Sequence, residues 1–206
     1  MPSPIGHAFA GVAIAWMATP SEPSSATAAR GVTTGRTGVS SAQLPWHQRL
    51  PWICAALAVV PDIDLLYLPI HRTATHSVTA AVAVTIVAAV VTGWVTGRIS
   101  WRFAAICGLA YGSHIVMDWL GADASVPYGI QMFWPFSDRW FVAPVALFPG
   151  TERRNPFGMR AVLINLRAAA AELAMGSVAL WLVALRRRRR SRVPTSVPAD
   201  QRPPSV

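Results

Sequence analysis

Residues 76–96 read HSVTAAVAVTIVAAVVTGWVT, a run of Ala, Val, Thr, Ile and Trp without a charged position after its opening histidine. As a helix this run is about 30 Å long, the thickness of a bilayer's hydrocarbon core, so it predicts a membrane span. The remainder of the 206-residue chain fits that solvent, being 53% hydrophobic and 13% charged. Its mean hydropathy is +0.39. Working outward, Arg98 and Arg102 mark a tight connection, and 103–120 (FAAICGLAYGSHIVMDWL) predicts a return span. On the other side, 50–60 (LPWICAALAVV) predicts a short apolar helix stopped by Pro61, and 5–18 (IGHAFAGVAIAWMA) a first short one of about 20 Å. This first segment lacks the basic flank of a cleavable signal peptide, so it is expected to be retained. A last span is expected over 161–185.

The resulting expectation is an all-α fold, a polytopic transmembrane bundle of about five spans, two of them short, forming a single membrane-embedded domain over 1–190. Residues 19–45, rich in Ser, Thr, Pro and Gly, read as a flexible loop, and 191–206 as a disordered tail. Residues 121–159, dense in aromatics, Pro and Gly, read as an interfacial region with a membrane-belt role for Trp134 and Phe136.

The net charge is +9. Much of it sits in RRRRR at 186–190, directly after VALWLVAL, where a cytoplasmic anchor belongs. No base-stacking or base-reading motif accompanies it, so nucleic acid is not an expected partner. The lipid bilayer is. Basic residues stay on the cytoplasmic side, which places the C-terminus there together with the 19–45 and 97–102 connections. Cys54 and Cys107 lie inside apolar segments and read as packing residues rather than a disulfide or metal pair.

The stretch HRTATHS at 71–77 is out of character with this composition. Under the alternation of spans, His7 opens the first helix, Asp62 and Asp64 follow the second, His71 and His76 precede the third, and His114 with Asp118 closes the fourth. All seven fall on one membrane face, the outer one if the arginine run is inside. His114 and Asp118, at i and i+4, share a helix face and can bind one ion. An extended Asp62-x-Asp64 would send both carboxylates to one side. Neutral imidazoles with hard anionic oxygens suit zinc, manganese or iron, and one or two ions are conceivable. Arg72 offers a planar fork for a substrate anion, or a headgroup contact. Thr75 and Ser77 either cap the third span or orient a ligand from behind. Asn165, Arg167 and Glu172 in the last span receive no role, and His47 is read as interfacial.

GHAFAG at 6–11, PDIDLL at 61–66, HRTATHS at 71–77, GSHIVMD at 112–118 and WPFS at 134–137 together resemble the YdjM-like family of membrane-bound, metal-dependent hydrolases. That resemblance, over residues 1–137, implies an inner-membrane helical protein of bacterial type. It implies a hydrolase whose motif positions His7, Asp62, Asp64, His71, His76, His114 and Asp118 are candidate metal ligands. Asp62, Asp64 and Arg72 are the candidates for catalysis, on a lipid or other phosphoester substrate. The alternative is a non-catalytic membrane protein with a structural metal or an ion or proton relay.

Overall fold

The computed structural model describes residues 2–19, 46–123, 126–152 and 158–192; the predicted 19–45 loop and 191–206 tail lie almost wholly outside them. Among the described residues there are five α-helices and no strand, only isolated bridges pairing Gly121 with Phe148 and Ile130 with Phe141. The helices are α1 (Pro4–Ala18), α2 (Trp46–Val59), α3 (Val78–Thr96), α4 (Trp101–Trp119) and α5 (Met159–Arg192). Two 3₁₀ stretches, Val60–Ile70 and Ala74–His76, join α2 to α3.

Local chemistry sets most of these ends. Pro4 enters α1 at its first turn, where its missing N–H costs nothing. Ser77 caps α3 by accepting from the Ala80 N–H at 3.1 Å, and Gly97 closes α3 in the left-handed region at φ 71°. Ser100 caps α4 through the Phe103 N–H. Three boundaries differ from the sequence expectation. α2 begins at Trp46 and runs through Pro51, because a proline this near the N-terminus removes only an early helical bond. After α2 the backbone tightens into 3₁₀ geometry instead of extending, so Asp62 and Asp64 leave the chain in different directions. α5 is 34 residues long and continues through the arginine run.

Two helices, Val78–Thr96 and Met159–Arg189, are long and apolar enough to cross a membrane. Only 11% of each apolar window is buried, unlike the core helix of a soluble protein. Val82, Ile86, Val87, Val90 and Trp94 line the open side of α3. α4 is the reverse case. It packs against α1, α2 and α3 and buries Ala104, Cys107, Ala110, Tyr111, His114, Ile115, Met117 and Asp118, so neighbouring helices rather than lipid surround its polar residues. α1 and α2 approach closely at Gly11, where a Cβ would meet the Cys54 carbonyl oxygen at 2.3 Å.

α1 and α3 start, and α2 and α4 finish, at one end of the bundle. The irregular 126–152 region covers that end. It is tied down by Val78 N–H to Met132 O at 2.9 Å, Gln131 N–H to Arg72 O at 2.9 Å, and Thr79 Oγ1 to Trp134 O at 2.7 Å. Trp134 and Phe136, expected in a membrane belt, are both exposed there.

Candidate metal centre

At this end Asp62, His76, His114 and Asp118 are buried, with one ligand atom from each lying within 4.8 Å of all the others. The His76 and His114 Nε2 atoms are 3.0 Å apart. Asp118 Oδ2 is 3.2 Å from the first and 3.3 Å from the second. Asp62 Oδ1 stands 3.8 Å from each. A tetrahedral ion with N and O ligands at 2.0–2.1 Å has ligand–ligand edges of about 3.3 Å, so three of these atoms already have the spacing of one face of such a shell and Asp62 is slightly withdrawn.

The ring nitrogens are oriented for the same purpose. His114 Nδ1 lies 2.8 Å from the buried carbonyl of Ala58, which can only accept; Nδ1 therefore carries the proton and Nε2 presents a lone pair. His76 Nδ1 lies 3.2 Å from Asp64 Oδ2, so the neutral ring donates there and likewise turns its Nε2 lone pair inward. Two such lone pairs facing each other at 3.0 Å call for a cation between them, either a proton carried by His76 or a metal ion. Among the described residues, both oxygens of Asp118 are buried and are met only by imidazole nitrogens at 3.2–3.4 Å, none of them in hydrogen-bond geometry. A buried carboxylate without a well-formed hydrogen bond, set among imidazole nitrogens at ligand spacing, calls for a cation, so the donor set fits a divalent metal.

The electrostatics ask for positive charge at the same place. Burial disfavours a charged His76, but Asp118, Asp62 and Asp64 facing the ring outweigh it and push its pKa up to about 10. Burial likewise opposes the Asp64 carboxylate, yet hydrogen bonds from His71, His76 and Thr75 hold it well below the usual carboxylate range.

Asp64 is a hub of a different kind. Its Oδ1 is 2.5 Å from His71 Nδ1, and its Oδ2 receives the Arg72 N–H at 3.1 Å and the Thr75 hydroxyl as well as facing His76. Asp64, His71 and His76 form a second group with metal-ligand spacing, sharing His76 with the first. Thr75 thus donates to Asp64, whereas Ser77 caps α3.

His7 stacks on His114 with ring centroids 3.8 Å apart and brings Nε2 to 3.4 Å from Asp118 Oδ1, the oxygen not facing His76. Arg72, at φ 67°, sends Nη1 to Asp123 Oδ2 at 2.5 Å and towards the Pro127 and Gly129 carbonyls, clamping the HRTATHS turn to the covering region. In this geometry its fork is engaged by protein groups. The side chain of His47 lies outside the described residues.

Two contributors had no signal in the sequence or an unreadable one. The Ala58 carbonyl is backbone and leaves no side-chain trace. Asp123, 51 residues from Arg72, looks like any loop acid. Asn165 bonds the Glu152 backbone through both amide atoms, at 2.8 and 3.0 Å, which explains a polar residue in the last helix.

No curated protein and no solved structure matches the chain. The model of one family, described as YdjM inner membrane protein, matches residues 1–191. With that match spanning the helices and the whole of the buried His/Asp cluster, the chain belongs to the YdjM inner membrane protein family.

Proposed function

We propose that the protein is a polytopic membrane hydrolase that uses one divalent ion, zinc being the best fit, held by His76 Nε2, His114 Nε2 and Asp118 Oδ2. The observation that carries this is the triangle of 3.0, 3.2 and 3.3 Å between those atoms, each imidazole oriented from its far nitrogen. Bound there, the ion supplies a Lewis acid that acidifies water and polarises a phosphoryl or acyl oxygen.

The residues divide the remaining work. Asp62, withdrawn to 3.8 Å and the most exposed of the four at 7%, is placed to accept a proton from water at the open side of the triangle. Asp64 and Thr75 fix the His76 ring. His71 engages one of Asp64's oxygens and supports it rather than holding a second ion, because the Arg72 N–H, the Thr75 hydroxyl and His76 take up the other. Asp64→Asn is therefore expected to leave about one ion per chain while weakening its affinity roughly 10–100-fold, as measured by competition with a chromophoric chelator.

The substrate class follows from what surrounds the carboxylates. The segment that turns Asp62 and Asp64 inward turns Ile63 (62% exposed) and Leu66 (86%) outward. Exposed aliphatics on the rim of a polar site suit an amphiphile arriving from the bilayer, so a lipid phosphoester is the proposed substrate. The site lies at the Ser3 end of α1, while Arg187 of the arginine run contacts Trp16 and Thr19 at its other end. With the arginines cytoplasmic, the site opens on the outer face of the inner membrane.

A second reading has its own observation. Four protein donors, none more than 7% exposed, resemble a closed structural site, which would make the protein a non-catalytic metal-stabilised bundle. Elemental analysis of the purified protein, paired with turnover of phosphodiester lipids in mixed micelles, separates the readings. Bound metal with hydrolysis lost on chelation and restored by zinc supports the hydrolase; bound metal without turnover on any lipid supports the structural site; absence of metal refutes both.

A further inference from the structure

Glu172 is the lone carboxylate in the apolar part of α5, and it is buried to 2% exposure. A charge in such a place persists only with dedicated partners, and its partners are unusual. Both oxygens receive the Ser3 N–H, at 2.8 and 3.0 Å, and Oε2 receives the Ser3 hydroxyl. Ser3 is the N-cap of α1, where a serine hydroxyl normally accepts from its own helix; here it makes no such bond and is turned to α5 instead. The Ser3 carbonyl in turn accepts the His7 N–H at 3.3 Å. One continuous path thus runs from Glu172 through the first turn of α1 to the residue that stacks on His114 and faces Asp118.

Two further features belong to the same device. Gly6 leaves room for the carboxylate, since a Cβ there would meet Glu172 Oε2 at 2.7 Å. At the far end of α1, Arg187 Nη1 bonds the Trp16 carbonyl at 3.0 Å and the Thr19 hydroxyl at 2.9 Å. α5 therefore sets an anion against the positive end of the α1 dipole and a cation against its negative end.

On the metal reading given above, we propose that Glu172 is a positioning residue for the metal centre: it fixes the first turn of α1 so that His7 holds the outer oxygen of Asp118 and leaves the inner oxygen to the ion. α5 contributes no ligand and still tunes the site.

The test uses full-length protein reconstituted with cobalt(II), whose visible absorption reports ligand geometry, together with the rate of cobalt release to a chelator. Glu172→Ala is expected to shift the visible band and speed release about tenfold. His7→Gln is expected to do the same, and the double variant no more than either. Ser3→Ala, losing only the hydroxyl, is expected to fall between wild type and Glu172→Ala. Should Glu172→Ala not accumulate, Glu172→Gln, which keeps an acceptor for the Ser3 N–H, is expected to show the same band shift at smaller amplitude. A folded Glu172 variant with wild-type band and release rate overturns the proposal, as does an effect that adds to that of His7→Gln. Wild type that takes up no cobalt overturns the metal reading itself.

Discussion

Replacing Asp118 or His114 by alanine is expected to reduce bound metal from about one ion per chain to less than a tenth and to abolish turnover. Each removes a vertex of the 3.0–3.3 Å triangle. The loss is not confined to affinity. Asp118 is the group that His7, His76 and His114 all face, so the alanine variant leaves three buried imidazoles without their shared anion. His114→Ala also strands the Ala58 carbonyl, at a cost of about 1–3 kcal/mol. Elemental analysis of detergent-purified variants, with circular dichroism to confirm the helical fold, reads the result; wild-type metal content in either variant would remove it from the ligand set.

Asp62→Asn separates catalysis from structure. If Asp62 accepts the proton from water, the amide variant keeps metal at near wild-type affinity while hydrolysis falls about 10²–10⁴-fold. If Asp62 instead closes a structural shell, the same change weakens metal binding as severely as Asp118→Ala does. The prediction here is the first, because Asp62 Oδ1 is 3.8 Å from both ring nitrogens whereas Asp118 Oδ2 is 3.2–3.3 Å away. Isothermal titration of zinc into metal-free protein, beside a phosphodiesterase assay, measures both quantities.

Much of this site was legible in the sequence because alternation of apolar segments is enough to sort residues by the end of a helical bundle. His7, Asp62, Asp64, His71, His76, His114 and Asp118 were assigned to one face, and the structure brings them to one end of the bundle. Division of labour within the seven was not legible. It turns on which ring nitrogen points inward, and that is set by a backbone carbonyl for His114 and by the direction of Asp64 for His76. An extended Asp-x-Asp would have put both carboxylates on one side; the 3₁₀ turn instead gives Asp62 to the inner nitrogens and Asp64 to the outer one.

The fold was readable to a similar depth. α3 announced itself through an unbroken apolar run and a serine cap. α4 is the harder case: three other helices bury it and admit polar residues, and it is not one of the two helices long and apolar enough to cross a membrane. Pro51 hid the first turn of α2, and the arginine run concealed the continuation of α5, because helix propensity persists where hydrophobicity stops. Arg72 shows the limit most clearly. A lone arginine beside a cluster of carboxylates and imidazoles reads equally as an anion holder or a headgroup contact, and its partner Asp123 comes from a distant loop that no local pattern connects to it.

X-ray absorption at the metal edge of the purified protein reads the ion's neighbours themselves. Bound zinc is expected with nitrogen and oxygen neighbours at about 2.0–2.1 Å, two of them imidazoles, and no sulfur. A shell containing sulfur, which would bring in Cys54 or Cys107, or protein that retains no metal when purified in its presence, would contradict it.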